Sequence, residues 1–253
     1  MQPRLDGFSP ATQMNADQPA PRPIAPRPTA PAPTQAPVQR VPRIAFVTAG
    51  PTEEPIDSVR FLGNRSSGQM GLAIATALRA RGMSVVLALG PIRTEVPAGL
   101  RDDPQVRLER FRTASDLEQL MLRELPNADL VVMAAAVADF RPTLKSDGKL
   151  RRTEGGMSLA LEGVPDLLSS TRASRKPGAR VIGFALEPRE ALERSAREKL
   201  ERKDLAGIVA NPLETMDAPD VDGALFLRDG TVRSPGGRLS KPAFADWLAG
   251  ECT

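Results

Sequence analysis

The stretch from Arg43 to Gly90 constrains the fold of this chain more than any other. It reads "RIAFVTAG" (Arg43–Gly50), a long polar loop, "MGLAIATALRARG" (Met70–Gly82) and "MSVVLALG" (Met83–Gly90). The first and third segments are short and apolar at nearly every position, so each predicts a strand that needs cover on both faces. The second carries Leu72, Ala75, Ala77 and Leu78 at helical spacing and stops at Gly82, which predicts a helix. Strand, helix and strand in this order, with both strands buried, specify a parallel sheet layered by helices.

The alternation continues to the C-terminus. "VRLERF" (Val106–Phe111), "ADLVVMAAAVAD" (Ala128–Asp139), "RVIGFALE" (Arg180–Glu187) and "AGIVANP" (Ala206–Pro212) read as further strands. "TASDLEQLMLREL" (Thr113–Leu125) reads as a helix capped by Ser115 or Asp116, and "REALERSAREKLERKD" (Arg189–Asp204) as a charged one. "GALFLRDGTVRS" (Gly223–Ser234) holds an Asp-Gly turn between two strand-like runs, a hairpin signal, and "SKPAFADWLAGE" reads as the last helix. The fold expected is α/β: a doubly wound, Rossmann-like, mostly parallel sheet with a β-hairpin near the C-terminus. Residues 1–42 hold 11 of the chain's 25 prolines and few large apolar side chains, so they read as a disordered Pro/Ala-rich leader ahead of one domain over residues 43–253.

In open α/β sheets ligands bind beyond the C-terminal ends of the strands, which selects four loops. The first, "TAGPTEEPIDSVRFLGNRSSG", joins strand to helix through 21 residues where two to six are usual, and such long loops are usually functional. It ends in "GNRSSGQMG" (Gly63–Gly71) at a helix start, where free N–H groups, the positive dipole end and two hydroxyls suit a phosphate at Ser66, Ser67 and Gly68. Asn64 or Ser66 would equally serve as a helix cap. The spacing matches neither the dinucleotide nor the P-loop fingerprint. Asp139 closes a run in which Leu130 to Ala138 are all apolar, and its carboxylate suits a ribose, a base or the cap of the next turn. "DGKLRR" (Asp147–Arg152) and "EKLERKD" (Glu198–Asp204) add local positive charge. The i,i+4 spacing of Glu198 with Arg202 also fits an ordinary solvated helix face.

Missing residue types exclude whole chemistries. The chain has no histidine, no tyrosine and one cysteine, Cys252, so Cys/His zinc sites, Ser-His-Asp hydrolysis and a Cys-His nucleophile pair are ruled out. A lone cysteine fits a reducing compartment, and the expectation is a cytoplasmic protein. A formal charge of +3, two units of it from the leader, gives no reason to expect nucleic acid, and no run of 18 apolar residues suggests a membrane.

Taken together, "VTAGPTEEPIDSVRFLGNRSSGQMG", "MAAAVADFRP", "GKLRR", "GFALE" and "EKLERKDLAGIVAN" resemble phosphopantothenate–cysteine ligase, the amide-forming enzyme of coenzyme A synthesis. The blocks occur in the family's order over about residues 43–212, and the long first loop is the specific one. In many bacteria this ligase is fused behind a flavin-dependent decarboxylase that relies on a histidine. This chain has none, so the resemblance implies the ligase alone with a separate decarboxylase as pathway neighbour. It implies CTP (or ATP) as co-substrate with Mg2+, phosphopantothenate and L-cysteine as substrates, a homodimer, and no protein nucleophile.

By matching position, the resemblance makes Asn64 and Arg60 catalytic. It places Ala134, Ala135, Asp139 and Phe184 at the nucleoside, Lys149, Lys199 and Lys203 at the triphosphate, and Gly50 with Ser66, Ser67 and Gly68 in the phosphate loop; no metal ligand is assigned. The hairpin Gly223–Ser234 is the expected dimer strand. The chain departs from the family pattern at Gly163, Val164, Leu186, Pro188, Ala206 and Pro212, all on the nucleotide side, and has Gln69 where a lysine is usual. Two other readings stand beside the ligase: a ligase-like binding protein without catalysis, and a nicotinamide-dependent reductase, which the lack of tyrosine and of a G-x-G-x-x-G turn disfavours.

Overall fold

The computed structural model describes residues 43–152, 156–216 and 218–253; the expectation for the leader lies outside the described residues. In chain order the strands are β1 (Ile44–Ala49), β2 (Glu53–Pro55), β3 (Phe61–Gly63), β4 (Ser84–Leu89), β5 (Val106–Arg110), β6 (Leu130–Met133), β7 (Phe140–Pro142), β8 (Leu161–Gly163), β9 (Arg180–Glu187), β10 (Gly207–Pro212), β11 (Asp220–Val221), β12 (Ala224–Leu227), β13 (Val232–Arg233) and β14 (Leu239–Ser240). The helices are α1 (Gln69–Ala80), α2 (Ala98–Arg101), α3 (Ala114–Glu124), α4 (Leu167–Ser170), α5 (Leu192–Arg202) and α6 (Lys241–Cys252).

Eight strands form one sheet in the order β13-β12-β10-β9-β6-β1-β4-β5. The six strands from β10 to β5 are mutually parallel, and β12 and β13 close one edge as the expected antiparallel hairpin. From β1 the chain winds outward through β4 and β5, then returns to β6 on the other side. The order therefore reverses between β1 and β6, and a crevice opens there at the C-terminal ends of the strands.

Both faces of the sheet are covered, as the unbroken apolar runs require. Ala45, Val47 and Ala49 of β1 point to the layer of α1 and α6, where Ile74, Leu78, Phe244 and Leu248 are buried. Phe46 points to the opposite layer, with Leu117 and Met121 of α3 and Leu200 of α5.

Three local expectations are corrected. β6 stops at Met133 instead of running to Asp139, because the backbone of the following residues leaves the sheet and bonds to the β1–α1 loop. α3 is capped by Thr113, whose side chain accepts from the Asp116 N–H while the Asp116 carboxylate accepts from the Thr113 N–H. Asp116 is thus the reciprocal member of a capping box and Ser115 caps nothing. On α5 the observed i,i+4 ion pair is Glu193 with Arg197, at 2.8 Å, and not Glu198 with Arg202.

Candidate functional site

The long connection between β1 and α1, residues 50–68, is built rather than slack. β2 and β3 make a small antiparallel ladder inside it, with Glu53, Glu54 and Pro55 opposite Gly63, Leu62 and Phe61. Three-residue strands show no alternation to read, which is why the sequence hid them. Buried Glu54 pins the ladder by accepting from the Ala114 N–H at 2.8 Å. Asp57, also buried, accepts from the N–H groups of Val59 (2.8 Å) and Arg60 (2.7 Å), from the Arg60 guanidinium (2.8 Å) and from the Leu150 N–H (3.2 Å). The Val59 N–H leads in holding its carboxyl below the usual range, with the Arg60 and Leu150 N–H groups and the Arg60 charge acting the same way against the cost of burial.

The loop ends at Gly68, which precedes α1 with φ +74°. A Cβ there would meet Ile92 Cγ2 at 2.8 Å, and at Gly71 one would meet Ala49 Cβ at 2.4 Å, so α1 starts in close contact with β1 and the loop after β4. Part of the glycine content of "GNRSSGQMG" is thus spent on packing. The capping alternative fails: no side chain caps α1, and its first turn carries no acid. The serine hydroxyls reach only the N–H groups two residues ahead, Ser66 to Gly68 at 3.4 Å and Ser67 to Gln69 at 3.5 Å. Asn64 instead turns across the crevice, its Nδ2 donating to the Val137 carbonyl at 2.9 Å.

The opposite wall is the segment after β6. Two fully buried threonines, Thr48 near the end of β1 and Thr52 in the loop that follows, hold it: Thr48 Oγ1 accepts from Ala135 N–H (3.0 Å), and Thr52 Oγ1 accepts from Ala138 N–H (2.9 Å). Backbone bonds Ala136 N–H to Gly50 O (2.9 Å) and Thr52 N–H to Ala136 O (3.2 Å) complete the seam. Sequence reading missed both threonines, because a buried Thr in an apolar strand carries no signal of what its hydroxyl meets.

Between these walls lies an open cleft of about 860 Å3. Asn64, Ser66, Ser67 and Gly68 line one side, Ala134, Ala135 and Asp139 another, and Phe184, Lys199 and Lys203 the third. Gly50 sits behind Gly68 and faces the cleft only through it. Arg60 and Lys149 stand off the cleft: the Arg60 guanidinium is taken by Asp57 and by the Leu150 carbonyl (3.2 Å), and Lys149 is exposed beside Leu150. Arg202 of the basic "EKLERKD" run also lines the cleft, as does Lys241, which drew no functional reading from the sequence. Of the departures from the family pattern, Gln69, Val164 and Leu186 line it as well.

Two of the cleft's three lysines are neutralised by partners, while Lys241 donates to Gln69 Oε1 at 3.3 Å. Lys199 bonds to Glu187, and Lys203 pairs with Asp166 at 2.8 Å. Burial raises the Glu187 carboxyl, but hydrogen bonds from Lys199 and Ser195 outweigh it, leaving the group below its ordinary range. Of the two carboxylates lining the cleft, Asp166 is committed to Lys203 and to the N–H groups of Leu168 and Ser169, while Asp139 has no ion pair among the described residues. No cluster of three His, Cys, Asp or Glu side chains able to hold a metal ion occurs among the described residues. Cys252 is buried, and desolvation pushes its thiol up to about 11, which disfavours the thiolate. No helix among the described residues is long and apolar enough to cross a membrane.

Comparison with known proteins identifies the family and the fold. Residues 42–252 match the family described as DNA/pantothenate metabolism flavoprotein C-terminal domain. A cysteine/cysteine sulfinic acid decarboxylase from an unknown prokaryotic organism is 39% identical over 173 residues, 68% of this chain and 46% of that protein. The coenzyme A biosynthesis bifunctional protein CoaBC of Bacillus subtilis is 37% identical over 191 residues, 74% of this chain and 45% of that protein. The chain spans about half the length of the curated relatives it matches. The crystal structure of the C-terminal domain of a CoaBC protein superposes with a TM-score of 0.67 at 31% identity, covering 83% of this chain and 93% of that one. The chain therefore belongs to the DNA/pantothenate metabolism flavoprotein C-terminal domain family and is a CoaB-like domain within it.

Proposed function

We propose that this chain joins phosphopantothenate to L-cysteine in a nucleotide-dependent amide ligation, with CTP as the favoured triphosphate and ATP the alternative. The observation that carries the reading is the convergence of an uncapped helix start at Gly68, the Asn64 amide and the lysines of α5 on one cleft at the switch point of the sheet. An uncapped helix N-terminus and two lysines are anion-binding groups, and an amide poised across the cleft can hold a reacting oxygen.

In this reading the substrate carboxylate attacks the α-phosphorus of the triphosphate. An oxygen–phosphorus bond forms, the bond to the β-phosphate oxygen breaks and pyrophosphate leaves. The cysteine amine then attacks the acyl carbon; the C–N bond forms, the nucleoside monophosphate departs and the amine loses a proton. Mg2+ carried on the phosphates supplies charge neutralisation when bound, and Asp139 is the carboxylate free to meet it or the ribose. Ser66, Ser67 and the N–H groups at Gly68 bind phosphate, and Asn64 orients the acyl-phosphate oxygen. Ala134, Ala135 and Phe184 form the bed of the nucleoside. Lys199 and Lys203 exchange Glu187 and Asp166 for phosphate oxygens on binding. Positioning and charge stabilisation suffice for such chemistry, so the lack of His, Tyr and an exposed Cys is no obstacle. The product is the substrate of a separate decarboxylase, and the protein acts as a homodimer in the cytoplasm.

The committed pairs Lys199–Glu187 and Lys203–Asp166 favour one second reading, a domain that binds a nucleotide without turning it over. Pyrophosphate release by the purified protein with phosphopantothenate and Mg2+, comparing CTP with ATP and each with and without cysteine, separates the two. Release together with amide product supports the ligase; nucleotide binding without release supports the second reading.

A further inference from the structure

The search for unused groups leads to Asp57, a buried carboxylate that the proposed chemistry does not require. Its four hydrogen bonds join two segments 93 residues apart: Val59 N–H, Arg60 N–H and the Arg60 guanidinium on one side, Leu150 N–H on the other. Two further bonds cross the same junction, from the Arg60 guanidinium to the Leu150 carbonyl at 3.2 Å and from Ser146 N–H to the Ile56 carbonyl at 3.1 Å. Leu150 is therefore held through both of its backbone groups, one by Asp57 directly and one by the arginine that Asp57 holds. Lys149 is the adjacent residue and has no partner of its own among the described residues.

The structure assigns Asp57 as a positioning residue that fixes the segment carrying Lys149 against the loop carrying Arg60, so that Lys149, which stands off the open cleft, is held in one place from which to meet the triphosphate. This rests on the reading of Lys149 as a triphosphate-binding lysine. The physical reason for a carboxylate here is its capacity: it accepts from three N–H groups and a guanidinium together, which an amide of the same shape cannot match because one of its two heads is a donor. A flexible lysine on an unanchored segment would lose conformational entropy on binding; a clamped one has already lost it.

Two readouts test the assignment. Hydrogen exchange of the Leu150 amide, expressed as a protection factor, reports the clamp without reference to any activity. Asp57→Asn is expected to lower it by about tenfold or more, since the bond it breaks is the one that protects that amide. Equilibrium binding of CTP to Asp57→Asn, Lys149→Ala and the double variant reports the use of the clamp. Each single change is expected to weaken CTP by about tenfold, and the double variant to bind no worse than Lys149→Ala alone, because residues acting through one another are not additive. If Asp57→Asn does not fold, Arg60→Gln, at a half-exposed side chain, removes the guanidinium bonds to Asp57 and to the Leu150 carbonyl while leaving the Leu150 N–H on Asp57, and its CTP affinity is read for the same non-additivity with Lys149→Ala. Unchanged Leu150 protection, or additive losses in CTP affinity, would overturn the positioning role while leaving the ligase reading standing. Failure of the wild-type protein to bind CTP or ATP would instead sink the ligase reading, and with it the purpose of the clamp, even with Leu150 protected.

Discussion

Thr52→Val probes the seam that shapes the cleft. Thr52 is fully buried and its Oγ1 is the acceptor for the Ala138 N–H at 2.9 Å, with Ala138 itself buried. Valine keeps the shape of the side chain but leaves that N–H without a partner and without water, a loss of about 1–3 kcal/mol. The methyl that replaces the hydroxyl returns up to about 0.8 kcal/mol of apolar burial. The net loss is about 1–2 kcal/mol, which for a domain of this size lowers Tm by roughly 2–8 °C. Calorimetric melting is the assay, with Thr76→Val as the control. The exposed Thr76 hydroxyl donates only to the Leu72 carbonyl within α1, so its loss leaves no buried group unpaired and is expected to cost under about 0.5 kcal/mol. The seam also sets the backbone of Ala134 and Ala135, so Thr52→Val is expected to raise the KM for nucleotide more than it lowers kcat. A Thr52→Val protein that melts within about 1 °C of the Thr76→Val control would refute the reasoning, since the buried donor would then have found another partner.

Gly71→Ala drives a methyl to within 2.4 Å of Ala49 Cβ and is expected to cost about 1–3 kcal/mol by overpacking α1 against β1, read as a lower urea midpoint with an unchanged slope. Asn64→Ala is expected to leave CTP affinity within about twofold while slowing amide formation at least tenfold; loss of binding alone would contradict the role given to the amide. The Asp57 carboxyl lies below its unfolded value, so the stability it adds is present above about pH 4 and drains away as pH falls through the lower folded value; Leu150 protection is expected to be flat from pH 5 to 8 and to decline only on acidification below that. Cys252 is expected to resist a thiol reagent at pH 8 in the native protein and to react fully once urea unfolds it, because burial holds the thiol near 11.

Much of the fold is legible in one dimension because its cause is local. Unbroken apolar runs such as "RIAFVTAG" and "MSVVLALG" can only be strands covered on both faces, and helices at 3.6-residue spacing between them leave a parallel sheet as the consistent solution. The Asp-Gly turn in "LFLRDGTV" likewise specifies a hairpin by its own backbone chemistry. Tertiary structure alone decided what depends on partners far apart in the chain. That β6 ends at Met133 follows from Thr48 and Thr52 reaching across to Ala135 and Ala138, 87 and 86 residues away. That Lys199, Arg202 and Lys203 line the cleft follows from where α5 packs beside β9 and β10, which periodicity along the helix does not specify. That Arg60 is occupied by Asp57 and Leu150 reflects a clamp closed over 93 residues. Local propensity and hydrophobic period act between neighbours in sequence and can be read there; a hydrogen bond is decided by which distant backbone group the fold delivers to within 3 Å.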